Sequence, residues 1–514
     1  MEAVAVCFSM ARAGAGAGGD GEAGAALARL AGFRDDTYRC LTRRTDALSG
    51  LGDAVLCAGR PVTDLARLSL VRECGRGHGG LYDGLNAGRI DAGGLRRVLA
   101  GLPLPVWPGG RIVLAVDVSN WLRPDAETSP ERLFCHVHGR GKNAKQMIAG
   151  WPYSFVAALG PGASSWTVLL DTVRLGPADD ETEVTAAQLR GVAERLIAAG
   201  HWAEGSPAIT IAMDAGYVAS RLAWLLRDLP VVLVARVRSD RVFCRPAPPR
   251  VPGAGGRPAR HGDPVRCDDP RTWHDPGVET AAGPARYGPV AVTAWPRVHQ
   301  VLHRNCSCWK DWPPRKEFPV IEGTLIRLAV TRPAPGHVTP LEPMWLWASD
   351  PDAGLDQDMV ARLWQAYRRR FDLEHTFRFL KSQLGWDKPL LRDPAAADRW
   401  TWLIITCYAQ LYLARTLAAD VRLPWQRPQP AATPAQVMTP GRVRAGFPGI
   451  RRILGTPAST AKPGTPGPGR PAGSPNTRKA PRHPAGKTTL KPRSIADKKR
   501  KQAKQARKTS RLKG

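Results

Sequence analysis

The chain is short of acid. Its 514 residues hold 45 Asp and Glu against 74 Lys and Arg, a formal net charge of +29. So large an excess of one sign points to a polyanionic partner, most simply nucleic acid, though it specifies no chemistry. A long unbroken apolar run is also missing. The most apolar helical stretch, residues 400–418, is interrupted by Gln410 and Arg415 and reads as a buried core helix, not a membrane span. The opening MEAVAVCFSMARAGAGAGG has no basic segment ahead of an apolar one, which argues against a secretory leader. Ten cysteines are scattered through the chain, so reduced thiols in a cytoplasmic, nucleoid-associated protein are expected. His303, Cys306 and Cys308 lack the second paired half that a zinc site needs.

What is present falls into five regions: a helical region at 1–105, a strand-and-helix region at 106–240, a β-rich insertion at 241–350, a return to helix at 351–420, and a Pro/Gly-rich and basic tail at 421–514 that is expected to be disordered. In the first, Thr63 and Asp91 stand where helices would be capped. The basic faces there (Arg72, Arg76, His78, Arg89, Arg96, Arg97) suit a small DNA-binding domain of helix-turn-helix geometry or a plain helical bundle equally. Strand-like runs come next at 111–118 (RIVLAVDV), 153–159, 166–175, 208–213 and 231–237, with helices at 183–199 and 217–227. This order predicts an α/β fold built on a mixed five-stranded sheet flanked by helices. Short strands at 290–293, 324–331 and 344–348 form the insertion, which carries Trp273, Trp295, Trp309 and Trp312. Beyond residue 456 the sequence is rich in Pro and Gly, and from Lys487 it is basic, so a disordered, phosphate-binding tail is expected. Twelve Lys and Arg against one Asp give residues 487–514 about +11 and leave about +18 on the rest.

Residues 367–381, YRRRFDLEHTFRFLK, read as one helix with no Gly or Pro. At about 100° per residue, Tyr367, Arg370, Glu374 and Lys381 share an arc of roughly 60°. Leu373, Phe377, Leu380 and Leu384 form an apolar stripe beside them that can seat the helix on a core. The alternative for this ribbon is a solvated face of i,i+3 and i,i+4 pairs. Two further acids, Asp117 and Asp214, stand at the ends of buried strands. Asp117 could instead cap a turn, and Asp214 could cap the next helix. Asp171 competes with Asp117 but ranks lower, because its strand continues beyond it. Three converging carboxylates suit a pair of hard divalent ions such as Mg²⁺, with Mn²⁺ as a substitute, and such a pair supports in-line phosphoryl displacement.

This combination resembles the DDE transposases of bacterial insertion sequences, in the cut-and-paste group with a Y-(2)-R-(3)-E-(6)-K signature. The signature stands here as Tyr367, Arg370, Glu374 and Lys381, with AVDVSNW around Asp117 and MDAGY around Asp214. The resemblance covers roughly residues 106–420. It implies a ribonuclease-H-like core, metal-dependent cleavage at transposon ends that frees a 3′-hydroxyl, and strand transfer into target DNA. It assigns Asp117, Asp214 and Glu374 as metal ligands, and Tyr367, Arg370 and Lys381 to phosphates near the cleaved end. It further implies a homodimer on paired double-stranded DNA ends, and an aromatic of the insertion stacked on a flipped base, with Trp295, Trp309 and Trp312 as candidates. The rival readings are a ribonuclease-H-like nuclease that cuts without transposing, a domesticated inactive transposase, and a non-catalytic DNA-binding protein.

Overall fold

The runs that read as strands become one sheet, and it is wider than the sequence suggests. The computed structural model describes residues 18–138, 145–162, 164–250, 252–253, 255–285, 288–304, 309, 312–331, 342–421, 438–460, 471, 473 and 480–486. The N-terminal region holds α1 (Gly18–Arg39), β1 (Leu41–Arg43), α2 (Thr45–Cys57), α3 (Leu65–Leu68), α4 (His78–Ala87), β2 (Arg89–Ile90) and α5 (Ala92–Ala100). Then come β3 (Val113–Leu122), β4 (Leu133–His138), β5 (Lys145–Leu159), β6 (Thr167–Arg174), α6 (Glu181–Ala198), β7 (Ile209–Met213), α7 (Ala219–Leu225) and β8 (Val231–Val237). The next segment supplies β9 (Val242–Pro246), β10 (His261–Arg266), β11 (Val278–Ala285), β12 (Gly288–Val298), β13 (Gly323–Val330) and β14 (Met344–Ala348). After it come α8 (Gln357–Arg369), α9 (Phe371–Ser382), α10 (Pro394–Leu413) and α11 (Pro440–Leu454).

The sheet runs β11-β12-β13-β14-β8-β7-β3-β5-β4, and β6 also pairs with β5, which makes ten strands. Only β3–β7 and β7–β8 are parallel; the other pairs in this sheet are antiparallel. The expected sheet of five strands with a separate insertion is therefore corrected in two ways. β4 is an additional strand, accommodated because β5 is 15 residues long and pairs first with β4 and then with β6. The insertion is also not a separate β unit, since β14 pairs with β8 from Trp345↔Val237 to Ala348↔Val234. The free edge of β8 presents unpaired peptide groups, and a neighbouring strand satisfies them. Composition shows which residues are extended, not which edge they meet.

The N-terminal helices share a core with the rest of the chain. Leu48 and Leu51 of α2, Leu114 and Val116 of β3, Ile404 and Ile405 of α10 and Phe447 of α11 belong to one buried cluster. Cys407 donates to the Gly52 carbonyl at 3.5 Å, and Arg444 to that of Val55 at 3.1 Å. Asp91 caps α5 through the Gly94 amide, as expected. The earlier cap is Asp64, not Thr63, because its carboxylate reaches the Arg67 amide. The seven cysteines among the described residues are all buried and unbridged. No helix among the described residues is long and apolar enough to cross a membrane. The tail expected from residue 421 is corrected in part, because Pro440–Leu454 form α11 and bury Val443, Phe447 and Ile450 in the common core. The expectations for residues 1–17 and 487–514 lie outside the described residues.

Candidate active site

Two parallel strands bring the first two acids together. β3 and β7 pair as Val113↔Thr210, Leu114↔Ile211 and Ala115↔Ala212. Asp117 and Asp214 each lie two residues beyond the last pair, and their carboxylates are near enough to interact. The pairing stops because β7 ends at Met213. β3 continues to Leu122 on the strength of β5, with which it pairs from Leu114 to Leu122. Asp117 thus lies within its strand, not near the end as the sequence suggested, at the point where one edge of that strand opens. Its carboxylate accepts from the adjacent Val118 amide at 2.8 Å. Asp214 begins a turn in which its carbonyl accepts from the Tyr217 amide at 3.3 Å. It does not cap α7, whose cap position is Val218 with no side-chain bond.

The stretch 367–381 is not one helix. α8 ends at Arg369, α9 begins at Phe371, and Arg370 is the joint, with φ −51° and ψ −34°. Around it the backbone tightens to i→i+3 bonds, Arg370 to Tyr367 at 3.1 Å and Leu373 to Arg370 at 3.0 Å. No Gly or Pro marks this joint. The apolar stripe is as expected: Leu373, Phe377, Leu380 and Leu384 are buried.

From this seat the signature side chains turn toward the two strands. Arg370 donates from Nη1 to Asp117 Oδ2 at 2.6 Å and from Nη2 to Glu374 Oε1 at 3.1 Å. One guanidinium group therefore spans two of the acids. The Tyr367 hydroxyl donates to Asp214 Oδ1 at 3.4 Å. Lys381 donates to the Asn120 carbonyl at 3.0 Å and lies over the Trp386 ring. The structure thus gathers all six candidate side chains about the open edge of β3.

Burial dominates the electrostatics. A fifth of the Asp117 side chain is exposed. Even so, burial pushes its carboxyl up to about 6, assisted by Glu374 and Asp214 and opposed by Arg370. For Arg370, burial works against the charge, but Asp117 and the neighbouring groups raise its pKa overall. Burial lowers the Lys381 ammonium below its ordinary value. Tyr367 is raised, again chiefly by burial.

The donor set consists of carboxylate oxygens, which suit a hard divalent ion. Three acids share one close counter-charge, so their mutual repulsion is only partly relieved. Among the described residues, no three His, Cys, Asp or Glu side chains are drawn close enough to form a closed metal cage. The chemistry of the residues fits a divalent ion; the bonds present are those to Arg370 and Tyr367.

Other residues take different places. Asp171 is buried between Arg96 at 2.9 Å and Arg195 at 2.6 Å, away from this cluster of bonds. Trp295 is buried and stacked on Trp345, and Trp309 is also buried. Trp312 is half-buried against Phe318. His303 is exposed, while Cys306 and Cys308 lie outside the described residues. Tyr217 has no site role in the sequence, yet its buried hydroxyl has no hydrogen-bond partner among the described residues and its surroundings include Asp117 and Asp214. Nor is one assigned to Arg236 and Arg238, which line a cavity of about 520 Å³ that reaches Ala215, next to Asp214. Position in MDAGY was a signal for Tyr217; none existed for the two arginines, which stand in and just beyond an ordinary strand sequence.

The family model described as DDE superfamily endonuclease matches residues 36–297, just over half of the chain. The match contains Asp117 and Asp214 and ends before Glu374. No curated protein matches the chain.

Proposed function

This chain belongs to the DDE superfamily endonucleases, and on that premise we propose that it is a DNA transposase of the cut-and-paste kind, cleaving double-stranded DNA at transposon ends and joining the freed ends to target DNA. The carrying observation is the Arg370 guanidinium bonded at once to Asp117 and Glu374, two acids 257 positions apart in sequence. An arrangement of partly buried acids around one buried cation sets like charges close together and serves no packing need. Asp117, Asp214 and Glu374 would hold two Mg²⁺ or Mn²⁺ ions. When bound, such ions activate the attacking oxygen and stabilise the leaving oxygen of an in-line displacement.

The chain's own groups do the positioning. β3 carries Asp117, and β7 leads into the turn that carries Asp214. Arg370 offers a planar fork that matches a phosphate as well as a carboxylate, and Lys381 offers a point charge held by the Asn120 carbonyl. The Tyr367 hydroxyl, now on Asp214, is a neutral donor at the same edge. A phosphate entering here meets three donors from α8, the joint and α9, and that suits DNA, in keeping with the charge of the whole chain. The enzyme would act as a homodimer on paired ends in the nucleoid.

The test is nicking of duplex DNA that carries the repeats flanking the coding sequence. Mg²⁺-dependent nicking that Asp214→Asn abolishes supports the reading. Nicking without strand transfer would reduce the enzyme to a nuclease, and duplex binding with no nicking would leave a DNA-binding protein.

A further inference from the structure

The turn after β7 holds a polar atom that the fold leaves unsatisfied. Tyr217 closes that turn, its amide donating to the Asp214 carbonyl at 3.3 Å. Its ring packs against the main core, and its hydroxyl is buried. Among the described residues it is the one tyrosine hydroxyl that is buried without a hydrogen-bond partner. The four tyrosines that are buried as whole residues all have one. Tyr153 donates to Asp398 at 2.7 Å, Tyr367 to Asp214 at 3.4 Å and Tyr412 to the Pro103 carbonyl at 3.0 Å, while Tyr408 accepts from the Thr167 amide at 3.2 Å. A buried hydroxyl without a partner costs stability, so one that is kept calls for an explanation.

The neighbours of this hydroxyl supply it. Burial raises the Tyr217 pKa well above its ordinary value, and the Asp117 carboxylate adds to this, so the group stays a neutral donor. Arg370 and Asp214 act on it as well. Arg370 Nε is likewise buried without a partner among the described residues. Two buried donors in the surroundings of one carboxylate are therefore idle. That carboxylate has its two oxygens occupied, Oδ1 by the Val118 amide at 2.8 Å and Oδ2 by Arg370 at 2.6 Å. Arg370 must give up its bond when a divalent ion takes its place, since two cations at one oxygen repel; its fork then suits a phosphate. A carboxylate that holds an ion is kept in orientation by a hydrogen bond of its own. A neutral hydroxyl can provide that bond without adding a charge that opposes the ion.

We propose that Tyr217 is a positioning residue, whose hydroxyl takes over the Asp117 carboxylate when Arg370 leaves it and orients that carboxylate toward a divalent ion. The proposal rests on the reading of the site as one for metal and phosphate. It separates the role of the hydroxyl from packing, because the free protein does not use it. Removing it should leave the free protein at least as stable and the ion more weakly held.

The experiment uses the full chain without DNA and Mn²⁺ as the probe, with the free ion read by electron paramagnetic resonance. Tyr217→Phe should bind Mn²⁺ about 10-fold more weakly than wild type, the lower end of what losing a ligand's own hydrogen-bond partner costs. In EDTA it should melt at or above the wild-type temperature. Tyr412→Phe, which strands the Pro103 carbonyl, should behave in the opposite way, melting lower and binding Mn²⁺ as wild type does. Equal Mn²⁺ affinity in Tyr217→Phe and wild type overturns the proposal. So does a lower melting temperature of Tyr217→Phe, which would reveal a structural partner, and so does a matching loss of Mn²⁺ affinity in Tyr412→Phe, which would reduce the effect to packing. In nicking assays Tyr217→Phe should need about 10-fold more Mg²⁺ for half-maximal rate while its rate at saturating Mg²⁺ stays within about 3-fold of wild type. A lost maximal rate at an unchanged Mg²⁺ midpoint overturns the positioning role. A wild type that binds no Mn²⁺ ends the metal reading of the site and this proposal together. Mn²⁺ binding that depends on Tyr217, in a chain that never nicks DNA, keeps the proposal and loses the transposase reading.

Discussion

The Arg370 guanidinium donates to the Asp117 carboxylate at 2.6 Å across 253 positions of sequence. It is the nearest cation to an acid whose burial raises it to about 6. Arg370→Ala should therefore lower the unfolding free energy by about 2–4 kcal/mol at neutral pH, because it strands a largely buried charge. Nicking should fall at least 100-fold. Arg370→Lys should recover part of the stability and little of the activity, since an ammonium does not span two carboxylates or a phosphate fork. Chemical denaturation and a plasmid-nicking assay measure both; a stability loss under 0.5 kcal/mol would show the pair to be solvent-compensated.

Asp171 and Asp214 are expected to fail in opposite ways. Asp171→Asn leaves Arg96 and Arg195 facing a neutral amide in a buried site, a loss of about 3–5 kcal/mol. Asp214→Asn gives up one long bond from Tyr367 and should change stability by less than about 1 kcal/mol while abolishing nicking. Thermal melts beside nicking rates decide this, and reversed outcomes would move the site to Asp171.

The β9–β10 unit should be acid-labile. His261 Nδ1 and His299 Nε2 lie 2.8 Å apart, and His299 is wholly buried. Burial, with His261 and Arg260 adding to it, pushes His299 down to about 4, and burial lowers His261 as well. An unfolded histidine titrates near 6.5, so between roughly pH 6.5 and 4 the unfolded chain binds a proton that the folded chain refuses. Stability therefore rises with pH through that window and is lost on acidification, by up to about 3 kcal/mol from His299 alone. Denaturant midpoints at pH 7 and pH 4.5 should differ more in the wild type than in His299→Gln; equal differences would remove His299 as the cause.

Asp53 joins the two ends of the folded chain. It pairs with Arg34 of α1 at 2.8 Å and Arg451 of α11 at 2.7 Å, all three largely buried. Asp53→Asn should cost about 3–5 kcal/mol and expose α1 and α11 to protease together. Loss of one helix without the other in limited proteolysis would contradict the shared seat.

Chelation separates catalysis from affinity. EDTA should abolish nicking while leaving at least half of the duplex binding, because the affinity comes from Lys and Arg on phosphate. Gel-shift and nicking assays on one preparation suffice; a parallel loss of both would place the metal in the binding surface.

Some of this was legible along the chain. The bounds of β8 and β14 come from their apolar, β-branched or aromatic runs, and the buried stripe of α9 comes from its spacing. The cap at Asp91 is a local hydrogen bond, and local bonds leave local signatures. The joint at Arg370 left none, because good helix formers stand on both sides and only the pull of partners elsewhere distinguishes that residue. The union of β14 with β8 was equally silent, since an exposed edge accepts any strand that reaches it.

By itself, the sequence determined the chemical inventory: three acids, the cations and phenol close in sequence to one of them, and a charge suited to phosphate. Those depend on residue type and spacing, which need no knowledge of distant contacts. Tertiary structure alone decided which acids meet. Asp117 and Asp214 come near each other because the strands that lead to them pair in parallel, and Asp171 stands apart because two arginines enclose it; both are relations between segments remote in sequence, fixed by burial and pairing.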